Sequence, residues 1–101
     1  MYNFSEFIND CNDLDIHDIR EKVNKELTWA ESIKTSRTKD SNAYHNNISY
    51  CSKLRTLSGI LFNPFVITAL KVNDSFISEI KPIILKINHK SIHLFLNNEN
   101  Q

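Results

Sequence analysis

His89 and His93 stand four residues apart, a spacing that on one helix face would turn two imidazoles toward a common zinc ion. A structural zinc site needs four ligands and a catalytic one three. The other soft donors and imidazoles, Cys11, Cys51, His17 and His45, are dispersed along the chain, so spacing supplies no third ligand. Carboxylates crowd a second stretch through Asp10, Asp13, Asp15, Asp18 and Glu21, as they would in a calcium loop. The register fails there. Counting from Asp10 puts Glu21 at the twelfth position, but Leu14 and Asp15 fall where an oxygen ligand and the turn glycine belong. These acids read instead as helix caps and as favourable charge at a helix N-terminus.

Covalent and cofactor chemistry find no foothold either. The chain has no Gly-x-Ser-x-Gly turn and no recognisable Cys/His nucleophile pair. Its single glycine rules out a glycine-rich phosphate or dinucleotide loop. The expectation is a non-enzyme without metal or cofactor.

Two binding chemistries remain. Trp29 lies off the apolar stripe of its segment, among Asp18, Lys22, Lys25 and Glu26, and tryptophan is enriched among protein-binding hot spots. The leading expectation is a protein that acts by binding another protein through Trp29, Asp15, Asp18, Lys22 and Glu26. An inhibitor, an immunity protein or antitoxin, or a chaperone would suit that description. The alternative is a nucleic-acid-binding regulator that touches phosphates with Lys34, Arg37 and Lys39, supported by the turn around His89 and Lys90. A helix ending at Asn63, a second starting at Pro64 and a hairpin after it would imitate a winged-helix order. Against this, Phe65, Val66, Ile67, Ala69, Leu70 and Val72 leave only Thr68, Lys71 and Asn73 to read base edges.

Charge is spread unevenly. The net charge is zero, yet residues 1–33 hold eight acids and three bases while residues 34–57 hold five bases and one acid. An overall basic excess is missing, and the asymmetry reads as complementary neighbouring segments. Thirteen Asn and thirteen Ile suggest AT-rich coding, as in many phage or mobile-element genes. Met1 to Asn12 has neither a basic start nor an unbroken apolar run, and the longest uncharged stretch, Thr56 to Leu70, is too short to span a bilayer. No membrane association and a cytoplasmic location are therefore expected. There Cys11 and Cys51 would be small buried hydrophobes, with a disulfide between them as the alternative. A homodimer and a monomer fit equally well.

The elements that position these residues follow from periodicity. At 101 residues with 41% hydrophobic content the chain can bury one core. A single domain over residues 1–96 with a frayed tail at 97–101 is the expectation. Phe4, Phe7, Ile8, Cys11 and Leu14 predict a first helix capped by Asn3 or Ser5. Asp13 or Asp15 would cap a second, with Ile16, Ile19, Val23, Leu27 and Ala30 on one stripe. Asp40, Ser41 or Asn42 would cap a third, central helix carrying Ala43, Tyr44, Ile48, Cys51, Leu54, Leu57, Leu61 and Phe62 and ended by Asn63-Pro64. A short helix is favoured after Pro64.

Ile83, Leu85 and Ile87 alternate with Ile84 and Lys86; then Asn88-His89-Lys90-Ser91 intervenes before Ile92, Leu94 and Leu96. That pattern predicts a C-terminal β-hairpin. The fold class expected is mainly α (α+β), an antiparallel helical hairpin followed by a β-hairpin. An all-α bundle, drawn from Ile77, Ile80, Ile84 and Ile87 at helical spacing, is the alternative.

Overall fold

The computed structural model describes residues 3–34, 42–69 and 74–99, and among these every regular element is helical. They form α1 (Phe4–Asp10), α2 (Ile16–Lys34), α3 (Asn42–Phe62), a 3-10 segment (Pro64–Thr68), α4 (Asp74–Ile84) and α5 (Lys90–Glu99). The fold is thus the all-α alternative, and the expected β-hairpin is not present.

Burial explains the correction. In a strand Ile83, Leu85 and Ile87 would share one face. Instead the neighbours Ile83 and Ile84 are both buried while Leu85 is 62% exposed, which is the pattern of a helix end. In α5, Ile92 is buried and Phe95 and Leu96 pack against the core, whereas Leu94 is turned outward. Those inward positions follow a step of three and then one, which is helical and not alternating. Pro82 inside α4 costs about 3 kcal/mol through its missing amide hydrogen. Burial of Ile77, Ile80, Ile83 and Ile84, each contributing roughly 1.5–3 kcal/mol, outweighs it. The polar stretch after α4 is not a hairpin turn, because His89 Nδ1 accepts the Ser91 amide hydrogen at 3.0 Å and so caps α5.

The N-terminal half follows its periodicity. Asn3 Oδ1 accepts from the Glu6 amide at 3.1 Å, and Asp15 Oδ1 from the Asp18 amide at 2.9 Å. Of the α2 stripe, Ile19, Val23 and Ala30 are fully buried and Ile16 and Leu27 pack against the same core. Arg20 Nε donates to the Leu61 carbonyl at 3.0 Å, joining the start of α2 to the end of α3, so the two helices run antiparallel. An Arg55–Glu31 ion pair ties them again farther along. After α3, Pro64 opens the 3-10 segment, which buries Ile67 where a short helix was expected.

α3 is central because several of its faces are used. Leu54, Leu57 and Leu61 are buried, and Tyr50 meets the Phe4 ring of α1 edge-on at 6.4 Å. Lys53 Nζ sits 3.5 Å from Glu79 of α4 and 5.4 Å above the Phe4 ring. α5 closes over the 3-10 segment, with Phe65 edge-on to His89 at 4.7 Å, and it runs on through Asn97 to Glu99. Cys11 and Cys51 are both buried in the core and are not bonded to each other. Among the described residues no helix is long and apolar enough to cross a membrane.

Candidate functional site: a groove between α1 and α2

α1 is only seven residues long and leaves one side of α2 uncovered. The gap is a groove of about 680 Å³. Phe7 and Tyr50 line its floor; Glu6 and Asp10 stand on the α1 side, and Asp18, Glu21, Lys22, Lys25 and Glu26 on the α2 side. Five carboxylates thus face two ammonium groups. All are exposed except Lys22 and Glu26, which are half-buried. Lys22 lays its ammonium 5.6 Å above the Phe7 ring, a cation–π contact that holds the lysine stem along the floor. Glu26 accepts a 2.7 Å hydrogen bond from the Tyr50 hydroxyl. Burial, then that bond and the Glu26 charge, push the Tyr50 phenol well above its ordinary range.

Beyond Lys25 the groove continues into a shallower hollow of about 390 Å³ formed by Asn24, Lys25, Thr28, Trp29 and Ser32. Trp29 is 43% exposed there, a large aromatic on the outer side of α2. Lys25 lines both depressions and makes them one continuous face.

Of the residues expected to bind protein, the fold gathers Asp18, Lys22 and Glu26 in the groove and sets Trp29 in the adjoining hollow. Asp15 is not among them, because its side chain caps α2. Glu6, Asp10, Glu21, Lys25, Phe7 and Tyr50 were missed. A usable signal was present, since Asp18, Glu21, Lys22 and Lys25 recur at three- and four-residue steps opposite the apolar stripe.

The nucleic-acid candidates are placed differently. Arg37 and Lys39 lie outside the described residues, as does the side chain of Lys34. Farther along the same basic run, Lys53 and Arg55 are spent on Glu79 and Glu31. His89 is engaged as a helix cap, and Lys90 and His93 are exposed on the first turn of α5. No wing is built, because residues 83–96 form helix, turn and helix.

One donor cluster was not anticipated. His17, Asp18 and Glu21 bring three ligand atoms within 4.8 Å of one another, with His17 Nε2 3.9 Å from Glu21. All three are exposed, His17 and Asp18 on the first turn of α2 and Glu21 on the second, near the positive end of the helix dipole, which opposes a cation.

The chain matches no family model, and it has no significant match among curated proteins or among solved structures.

Proposed function

We propose that this protein is a non-catalytic binding protein whose partner is another protein, held along the α1–α2 face. The observation that carries this reading is Trp29, a tryptophan 43% exposed at the end of a charged groove and continuous with it through Lys25. An aromatic beside polar groups that can form a rim is the usual make-up of a binding hot spot. The groove lining supports recognition over catalysis. It holds carboxylates, ammoniums, two aromatic rings and Asn3, but no serine, threonine, cysteine or histidine to act as nucleophile or neutral-pH base. Its carboxylates are exposed apart from Glu26, whose oxygen accepts the Tyr50 hydroxyl hydrogen.

Inhibitors, immunity proteins and chaperones all work by such faces. A reducing compartment, the cytoplasm, fits two thiols kept apart from solvent in the core.

The test is affinity capture from native-host lysate, with and without nuclease, using tagged wild-type protein and Trp29→Ala in parallel. A stoichiometric protein that survives nuclease and is lost with Trp29→Ala, while circular dichroism is unchanged, supports the reading. Recovery of nucleic acid alone, or unfolding of Trp29→Ala, contradicts it.

A further inference from the structure

We infer that the segment of the partner seated in the α1–α2 groove is cationic: a helix presenting lysine or arginine to the groove and an apolar side chain to Trp29. This rests on the protein-binding reading and adds the chemistry of the bound element. Charge complementarity carries it. Among the described residues Glu6, Asp10 and Asp18 make no ion pair, and all three line the groove together with Glu21.

The groove's own ammoniums do not cancel them, since two ammonium groups face five carboxylates. A phosphate backbone would be repelled by this face, and an acidic protein surface likewise. A small molecule is a poor fit, because such sites are mostly apolar and enclose their ligands, whereas this groove is open and lined by charge.

Length agrees with a helix. From Asp18 to Trp29 the α2 axis advances about 16 Å at 1.5 Å per residue, which is about three turns of an opposing helix. The occupant therefore offers positive side chains over the first two turns and its apolar anchor over the third. Lysine and arginine also carry aliphatic stems that can lie along the groove floor formed by Phe7 and Tyr50 while their charges meet the carboxylates.

The probe is a helix-forming peptide of about 14 residues with lysines on one face and one leucine at its end, compared with its glutamate-for-lysine analogue. Binding is followed by amide chemical shifts of labelled protein at about 0.15 M salt, where only close charge pairs persist. Asp10→Asn with Glu21→Gln removes two of the five carboxylate charges of the groove, while Asp13→Asn with Asp74→Asn removes equal charge elsewhere. Expected are shifts along α1 and α2 with the lysine peptide alone, an affinity loss of about tenfold in the groove variant and less than about twofold in the control.

Equal losses in the two variants, or no groove shifts with the lysine peptide, would overturn the inference. The same variants separate it from the broader reading. A cellular partner lost with Trp29→Ala but retained by the groove variant leaves protein binding standing and removes the cationic occupant.

Discussion

Tyr50 on α3 donates its phenolic hydrogen to Glu26 on α2 across 2.7 Å, so the floor of the groove is bonded to its wall. This fixes the position of a groove carboxylate by a residue of the core, because Tyr50 itself is only 4% exposed. Replacing Tyr50 by Phe should lower stability at neutral pH by about 1 kcal/mol, the net value of one such bond. The pH dependence has a definite sign. The folded Tyr50 phenol and the buried Cys11 thiol both hold their protons above their ordinary values, chiefly through burial. The unfolded chain gives those protons up first as pH rises, so stability present below about pH 9 is lost above it. Denaturant titrations should show wild-type stability falling from about pH 9 upward and Tyr50→Phe falling less steeply. Parallel curves would refute the role given to Tyr50.

Lys86 sends its ammonium back to the α1–α2 turn, 2.6 Å from the carbonyls of Asn12 and Leu14 and 3.3 Å from that of Cys11. These carbonyls sit where α1 has ended and helical partners have run out. The contact ties the junction between α1 and α2 to the segment that follows α4. Lys86→Met keeps the stem and removes the donor. A loss of about 1–2 kcal/mol is expected, with faster amide exchange at residues 11–14. Unchanged exchange there would show that water replaces the ammonium at no cost.

His89 is the cap of α5. His89→Ala should destabilise by about 1 kcal/mol, and His89→Asn should recover most of that because asparagine caps well through its side-chain oxygen. If the two variants behave alike, the edge contact with Phe65 and not the cap is what matters.

These examples show which parts of the fold were legible from the chain. Asn3 and Asp15 cap where local chemistry places them, and the stripe Ile19, Val23 and Ala30 is buried because nothing competes with its period. The C-terminal segment was not legible. Ile83 to Ile87 satisfies both a two-residue and a helical period, and only the packing of Ile84 with Leu85 turned out decides between them. A histidine cap is rare enough that His89 read as part of a turn. The groove was half legible: the outer face of α2 carried Asp18, Lys22, Glu26 and Trp29, but Glu6, Asp10 and Tyr50 join it only through tertiary packing.

Asn47, like Tyr50 and Ile60, is a core position that the α3 pattern left out. Its side chain is completely buried, and among the described residues no group hydrogen-bonds to its oxygen or nitrogen. An unsatisfied buried carboxamide costs about 1–3 kcal/mol. Asn47→Leu should therefore raise the denaturation midpoint by an amount equivalent to about 1–2 kcal/mol without changing the helical spectrum. A lower midpoint would mean that the carboxamide is satisfied within the fold.

The most direct measurement is calorimetric titration of the captured protein partner with wild-type protein and with Trp29→Ala, each checked by thermal unfolding. An affinity weaker by about tenfold or more for Trp29→Ala, with a melting temperature within about 2 °C of wild type, is the expected result. Equal affinities for the two proteins would contradict the assignment of the α1–α2 face as the binding surface.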